Sequence, residues 1–228
     1  MLEFRKITKK EELQEVFKLR YKVYCDEWGF ERPEDHPAGI EQDEFDEHSL
    51  HFVATKEQII GTVRIILPSD RGFPILQHSE ISADLSHLDW QKVGEISRLA
   101  ISKDFRRRAE DRFIYEGNGV EPPPITEENE KRRRHEIVVG LYKALYIESK
   151  KIGLTHWIGV MARGLCLLLR RMGIAFVPIG PEVDYHGPRT PYLASIDEIE
   201  REVARANPEL FREAMEELKM AGVPRPSA

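Results

Sequence analysis

The sequence has few cysteines and no long apolar run. Its 228 residues include two cysteines, Cys25 and Cys166, which are too few for a disulfide framework in a chain of this size. No stretch approaches the roughly 20 apolar residues of a membrane-spanning helix, and the first residues do not resemble a signal peptide. These absences predict a protein of a reducing compartment, by default the cytoplasm, with no integral membrane segment.

Several motifs that mark common functional sites are also missing. The sequence has no glycine-rich phosphate loop of the G-x-x-x-x-G-K-[ST] or G-x-G-x-x-G type, and no G-x-S-x-G nucleophile elbow. His48 and His51 have the spacing of half a metal site, but further ligands are not nearby, so we predict no metal. A net charge of −6 argues against a general nucleic-acid binder.

The apolar patterning predicts alternating strands and helices. Thr8 and Glu11 have the spacing of a capping box and predict the start of a first helix. Residues 51–55 and 59–67 read as a β-hairpin. Further strands are predicted at 2–7, 93–102, 154–161 and 174–179, and helices at 137–152 and 163–172 and within a helical C-terminal extension at about 195–221.

This order predicts one domain over residues 1–228, with an α/β (α+β) fold and a mixed central sheet covered by helices on both faces. Residues 103–136 are basic and proline-rich, and we expect an excursion from the core there. Residues 27–47 lack periodicity and predict a long mobile loop, a common place for substrate contacts.

Four charged residues lie in apolar surroundings. Glu95 and Arg98 interrupt the buried strand 93–102, Arg64 lies among isoleucine and valine, and Arg20 lies on the apolar stripe of the first helix. A buried charge is costly unless it is paired or used. The residues are therefore either internal ion pairs and a snorkelling arginine, or the side chains of one polar substrate site.

The spacing of Glu95 and Arg98 sharpens this choice. A regular strand places residues that are three apart on opposite faces of the sheet. Both side chains can serve one site only if the strand carries a β-bulge, which also releases backbone N–H groups. We therefore predict a bulge, and a regular strand would contradict a shared site.

Short motifs in register resemble those of the acyl-homoserine-lactone synthases. They are Leu-Arg-Tyr-Lys-Val-Tyr at 19–24 with Trp28-Gly29, Asp-Glu-Phe-Asp at 43–46, Gly-Thr-Val-Arg-Ile at 61–65 and Gly-Glu-Ile-Ser-Arg-Leu-Ala-Ile at 94–101. The chain also resembles the related N-acyl amino acid synthases, and the basic excursion makes it most like the acyltransferases associated with PEP-CTERM/exosortase systems. The resemblance covers about residues 10–185. It implies the GNAT acyltransferase fold, whose fourth strand carries a bulge.

The resemblance implies a thioester of acyl carrier protein as acyl donor, whose phosphopantetheine enters between splayed strands, and no bound cofactor. Coenzyme A-dependent GNAT enzymes have a glycine-rich loop after the fourth strand, whereas residues 104–109 here lack glycine and contain arginines. These arginines suit an acidic carrier protein, although a solvated basic loop explains them too. The predicted carrier-binding residues are Arg106, Arg107, Arg108, Arg132, Arg133 and Arg134.

For the reaction, we expect an amine to attack the thioester, with Glu95 as the base, acting through water, and backbone N–H groups at the bulge binding the oxyanion. Arginine forks match carboxylates, so Arg98, Arg64 and Arg20 can bind the carboxylate of an amino-acid acceptor. The resemblance implies acceptor roles for Tyr24, Trp28, Asp43 and Asp46. The predicted substrate-binding residues are Arg20, Tyr24, Trp28, Asp43, Asp46, Arg64, Ser97 and Arg98. Loop capping is the alternative for Asp43 and Asp46.

Three functions remain open at this point. The first is an N-acyltransferase that makes a fatty amide of an amino acid or similar small amine. The second is an acyl-homoserine-lactone synthase with S-adenosylmethionine as co-substrate, although Tyr24 replaces the usual phenylalanine of that family. The third is a catalytically silent GNAT-like module that binds a carrier protein or another partner.

Overall fold

The computed structural model describes residues 1–105, 129–184 and 187–223, with residues 129–135 described by their backbone alone. The strands are β1 (Glu3–Lys6), β2 (Ser49–Thr55), β3 (Ile59–Ile66), β4 (Val93–Ile101), β5 (His156–Met161), β6 (Val177–Pro178), β7 (Val183–Asp184) and β8 (Pro188–Ser195). The helices are α1 (Lys10–Tyr21), α2 (Pro74–His78), α3 (Asn129–Ile152), α4 (Arg163–Arg171), α5 (Ile196–Ala206) and α6 (Pro208–Met220), and a π-helix (Lys22–Glu27) continues α1.

The strands form the predicted mixed sheet. Their order is β1-β2-β3-β4-β5-β8-β6, with β7 paired to β8, and the pairing is antiparallel except between β4 and β5. Side chains alternate across β2: Phe52 joins the core cluster that contains Val138 of α3, whereas Val53 contacts Phe17 of α1. Helices therefore cover both faces, as predicted.

The parallel strands β4 and β5 separate after a short paired segment. Val93, Gly94 and Glu95 pair with β5, and the last of these pairs joins Glu95 to Ile158. Beyond it, β4 continues to Ile101 and β5 to Met161. Because neither strand completes its hydrogen bonds with the other there, the middle of the sheet has an opening.

The predicted bulge is present in β4. Thr62 pairs with Ala100 and Arg64 with Ser97, so three steps of β4 lie opposite two steps of β3. Arg98 has a φ of 54°, in the left-handed region that non-glycine residues rarely adopt. The extra residue brings the side chains of Glu95 and Arg98 to the same side of the sheet, where both line one cavity.

Some elements differ from the sequence-based expectations. Helix α1 begins at Lys10 without a side-chain cap, so the capping box predicted from Thr8 is wrong. Helix α5 does have a side-chain cap, since the Ser195 hydroxyl accepts the Glu198 N–H at 3.4 Å. Helix α3 begins at Asn129, inside the predicted excursion 103–136, and residues 106–128 of that excursion lie outside the described residues.

Further elements were not predicted, among them β8 and α2. Residues 190–195 of β8 pair with the whole length of β5, although prolines at 188 and 191 weaken the strand signal in the sequence. Helix α2 is a short element within a segment that reads as turns. In the part of the chain that the structure describes, no helix combines the length and apolar character needed to cross a membrane.

Gly159, the first residue of β5 after the paired segment, lies against the backbone of β4. A Cβ atom at this position would lie 2.8 Å from the carbonyl oxygen of Ile96. We expect Gly159→Ala to lower the free energy of unfolding by about 1–3 kcal/mol in urea denaturation, because backbone must shift to accept the methyl group. Gly61→Ala is the control: its nearest contact is a flexible Ile137 methyl at 3.2 Å, and an equal loss would contradict this account.

Candidate active site

A cavity of about 260 Å³ lies where β4 and β5 separate. Its walls are partly polar and partly apolar, so it suits a ligand with both characters. The polar and charged wall residues include Glu31, Asp43, Glu44, Arg64, His78, Glu95, Ser97, Arg98 and Arg189. The apolar wall includes Ile96, Leu99, Tyr142, Val160, Met161, Ala162 and Leu165.

Glu95 is a buried carboxyl group in this wall, with 4% of its surface exposed. Its Oε2 accepts the N–H of Ile75 at 3.0 Å, one of the donors that the start of α2 leaves without a helical partner. Burial raises the pKa of Glu95 to about 7, against the lowering effects of the Ile75 N–H and of Arg64 and Arg98. A carboxyl group with this pKa can accept a proton at neutral pH.

Tyr24 and Arg98 hold the bulge in place. The Tyr24 hydroxyl donates to the carbonyl oxygen of Leu99 at 2.8 Å, and the guanidinium of Arg98 lies 5.8 Å from the centre of the Tyr24 ring. Burial raises the pKa of Tyr24 to about 12, so the hydroxyl keeps its proton and remains a donor. Arg98 also binds Glu41 Oε1 at 3.1 Å and Asp43 Oδ2 at 3.1 Å.

Arg64 and Arg20 also bind carboxylates of the protein. Arg64 contacts both oxygens of Asp43 at 2.6 and 2.8 Å, Asp46 at 2.5 Å and the Ser97 hydroxyl at 2.9 Å. Arg20 contacts both oxygens of Asp46 at 2.7 and 3.1 Å. Its Nε donates to Glu41.

Among the described residues, three arginines thus meet four carboxylates, the fourth being Glu31, which lies 3.5 Å from Arg98. We refer to Arg20, Arg64, Arg98, Glu31, Glu41, Asp43 and Asp46 as the ion network. Burial alone would raise the pKa of Asp46, but Arg20 and Arg64 outweigh it and hold that pKa well below its usual range. Arginines also lower the pKa values of Glu41 and Asp43, so these groups stay ionised.

The structure brings most of the predicted substrate-binding residues to one cavity. Those in its wall are Tyr24, Asp43, Arg64, Ser97 and Arg98, and the predicted base Glu95 lies there too. Arg20 and Asp46 are buried behind it. Trp28 stacks on Phe30, a wall residue, with ring centres 5.8 Å apart.

Arg20 and Arg64, which are predicted to bind substrate, contact carboxylates of the protein itself. Arg20 binds Glu41 and Asp46, and Arg64 binds Asp43 and Asp46. Arg20 is also completely buried. These contacts join the loop that contains the carboxylates to α1 and β3, and the substrate-binding role of both arginines stays a prediction.

The predicted carrier-binding arginines cannot be placed. Arg106, Arg107 and Arg108 lie outside the described residues. Arg132, Arg133 and Arg134 belong to the first turns of α3, where the backbone alone is described.

Sequence reasoning missed several charged residues of the site, among them Glu41 and Arg189. Glu41 is 1% exposed, although the acidic run that contains it is typical of a solvated loop. Arg189 lies on the unpredicted strand β8, with its guanidinium 5.5 Å from the centre of the Phe30 ring. Glu41 is buried because it pairs with Arg20 and Arg98, and no local pattern in the sequence indicates this pairing.

The histidine pair does not form part of a metal centre in the described ranges. His51 is buried, and burial lowers its pKa to about 4. Within residues 1–105, 129–184 and 187–223, no group of three or more His, Cys, Asp or Glu side chains is arranged to hold a metal ion.

Removing one member of the ion network leaves its buried partners uncompensated. We expect Arg20→Ala to lower the free energy of unfolding by about 3–5 kcal/mol at pH 7. The matched control is Arg32→Ala, which breaks a pair between Arg32 and Asp35 whose side chains are 79% and 51% exposed. Chemical denaturation of both variants tests this, and a loss for Arg20→Ala no larger than for Arg32→Ala would be inconsistent with the network's role.

Comparison with known proteins bears on the fold. Residues 19–116 match the family described as Acetyltransferase (GNAT) domain. No curated protein sequence matches the chain. The chain is similar to solved structures of two kinds of synthase, at identities that show the fold alone.

BjaI, a coenzyme A-dependent acyl-homoserine-lactone synthase solved with S-adenosylmethionine and isopentyl-coenzyme A, is 15% identical over 99% of this chain and 96% of its own, with a TM-score of 0.61. TofI, solved with an inhibitor and MTA, is 17% identical over 92% and 99%, with a TM-score of 0.60. FeeM, an N-acyl amino acid synthase from uncultured soil microbes, is 13% identical over 90% and 96%, with a TM-score of 0.59. The chain therefore has the GNAT fold, which confirms the predicted fold class, and the match of residues 19–116 agrees with the predicted class of enzyme, an acyltransferase.

Proposed function

We propose that the protein is an N-acyltransferase that moves a fatty acyl group from the thioester of an acyl carrier protein to the amino group of an amino acid or similar amine. The observation that carries this proposal is Glu95, a carboxyl with a pKa of about 7 in a cavity with polar and apolar walls. The polar wall suits the reacting groups, and the apolar wall suits a fatty chain.

The chemistry requires a base. An amine is protonated at neutral pH and has no lone pair for attack, so one proton leaves before attack and a second as the amide forms. Glu95 accepts one of these protons through a water molecule, and the other passes to solvent. The new C–N bond forms, the C–S bond breaks, and the donor sulfur leaves as a thiolate that is protonated from solvent.

The bulge supports stabilisation of the tetrahedral intermediate. The extra residue of β4 disturbs the ladder with β3 at Arg98, and β4 lies beside the opening toward β5 after Glu95. Backbone N–H groups held there can donate to the oxyanion at little reorganisation cost. Tyr24 fixes this backbone through its hydrogen bond to Leu99.

The charged residues in the wall of the first cavity indicate which charges the acceptor carries. Arg98 and Arg189 provide positive charge for a carboxylate, whereas Glu31, Asp43 and Glu44 provide negative charge for an ammonium group. An amino acid carries both charges. S-adenosylmethionine carries both of these charges and a sulfonium, and acyl-homoserine-lactone synthases are among the proteins of similar fold, so a lactone synthase is the second candidate.

The identity of the donor rests on sequence. The segment after β4 lacks the glycines of a pyrophosphate cradle and contains arginines, which supports a carrier protein over coenzyme A. The proposed carrier contacts are Arg106–108 and Arg132–134. Three further points likewise remain proposals. They are the similarity to exosortase-associated acyltransferases, the single domain over residues 1–228 and the cytoplasmic location.

Glu95→Gln tests the base directly. The amide keeps the shape of the side chain but cannot accept the proton, so we expect kcat to fall about 10²–10⁴-fold. Glu148→Gln is the matched control, because Glu148 is a buried glutamate of α3 that pairs with Lys6 and lies outside the cavity wall. Both variants should unfold at similar temperatures by circular dichroism, and wild-type turnover by Glu95→Gln would remove Glu95 from the mechanism.

A panel of donors and acceptors separates the candidate functions. Purified protein is incubated with long-chain acyl carrier protein or the matching acyl-coenzyme A, and with amino acids or S-adenosylmethionine. Mass spectrometry should find an N-acyl amino acid formed from the carrier-bound donor. Methylthioadenosine together with an acyl lactone would establish the second candidate instead, and the absence of product from every pair would favour the silent module.

A further inference from the structure

A second, smaller cavity lies between α3, β5, α5 and α6. Its volume is about 30 Å³. Aromatic and aliphatic side chains of these elements, with Ile174 of the segment after α4, form most of its wall: Tyr142, Tyr146, Trp157, Ile174, Ile199, Val203, Leu210, Phe211 and Ala214. An apolar cavity of this kind stays dry and accepts apolar groups.

The charged residues at the edge of the second cavity are engaged elsewhere. Lys143 pairs with Glu213 and Glu217 at 3.1 and 2.8 Å. Glu200 accepts the Tyr146 hydroxyl at 2.8 Å and pairs with Lys150 at 2.7 Å. Methylene groups that enter the cavity would therefore not displace a charged group from its partner.

Tyr142 separates the two cavities. Among the described residues, it is the one side chain that lines both. Its ring is 2% exposed and lies edge-on to Trp157 and Phe176, with ring centres 6.2 and 6.5 Å away. Trp157 is in turn fixed by a hydrogen bond from its Nε1 to the Ser149 hydroxyl at 2.9 Å. These contacts hold the Tyr142 ring as a partition.

On the apolar side of the first cavity, Tyr142 is accompanied by Leu99, Met161, Ala162 and Leu165. The charged residues of that cavity belong to β3, β4, β8 and the loop after α1. An acyl chain whose thioester lies at Glu95 therefore finds apolar surroundings toward Tyr142. Beyond the ring, the second cavity continues the apolar path under the C-terminal helices.

We propose that Tyr142 limits the length of the acyl chain by closing the first cavity off from the second. This inference rests on the proposed acyl transfer and adds a residue that determines its donor specificity. The longest chain that binds well ends at the Tyr142 ring, and a smaller side chain at this position joins the two cavities.

Binding of acyl-pantetheine thioesters of increasing chain length tests this without requiring turnover. Calorimetry with the full chain should show affinity that rises with each methylene and then stops rising at one length. In Tyr142→Ala, each further methylene that enters the second cavity should tighten binding about fourfold beyond that length. Tyr142→Phe, which keeps the ring and its contacts, should keep the wild-type limit.

A second substitution, in the wall of the second cavity, should reverse the effect of Tyr142→Ala on the length limit. Ala214 of α6 lines the second cavity, so Ala214→Leu in the Tyr142→Ala background should fill the joined space and restore the shorter limit. Tyr142→Leu serves if Tyr142→Ala does not fold, because it shortens the side chain and preserves apolar packing. An unchanged length limit in folded Tyr142→Ala or Tyr142→Leu, or a limit that Ala214→Leu does not restore, overturns the inference.

The outcomes also distinguish this inference from the proposed function. If wild-type protein forms no amide from any donor but the length limit moves in Tyr142→Ala, the proposed function fails and the partition stands. If wild-type protein forms the amide and the limit does not move, the partition fails and the proposed function stands.

Discussion

The ion network beneath the cavity is the interaction on which the rest of the site depends. It joins α1 through Arg20, β3 through Arg64, β4 through Arg98 and the long loop through Glu41, Asp43 and Asp46. Buried ion pairs roughly balance their desolvation cost when geometry is good, whereas losing one partner is strongly destabilising. The network therefore fixes the position of the loop against the sheet.

The same network sets the electrostatic surroundings of Glu95. Arg64 and Arg98 favour its ionised form, and Asp43 opposes them, while burial has the largest effect and raises the pKa. Without carboxylate partners, the positive charge of these arginines would lower the pKa of Glu95 further, and its carboxylate would be a weaker base. Pairing the arginines with acids is thus consistent with a carboxyl that exchanges its proton near neutral pH.

The sequence predicts those parts of the fold that depend on the local spacing of apolar residues. The hairpin of β2 and β3 and the C-terminal helices follow from apolar spacing, and the bulge follows from two charges three residues apart in a buried strand. The bulge could be predicted because burial of both side chains in one site is incompatible with a regular period of two.

The remaining parts depend on partners that are distant in the chain. Glu41 belongs to an acidic run, and its burial follows only from Arg20 and Arg98, 21 and 57 residues away. Strand β8 contains two prolines that weaken its strand signal, so Arg189 was missed along with it. Arginine residues are visible in the sequence, but whether their guanidinium groups meet a substrate or the protein's own carboxylates is decided by the folded loop.

The titration of Glu95 itself tests the central claim most directly. Its pKa can be measured by carbon NMR on protein labelled at glutamate carboxyl carbons, with Glu95→Gln to assign the signal, beside the pH dependence of kcat/KM for acyl transfer. The account predicts a pKa of about 7 and a rate that rises with pH through the same value and then levels, because the base must be deprotonated. A Glu95 pKa near 4.5, or a rate that does not follow its titration, would contradict it.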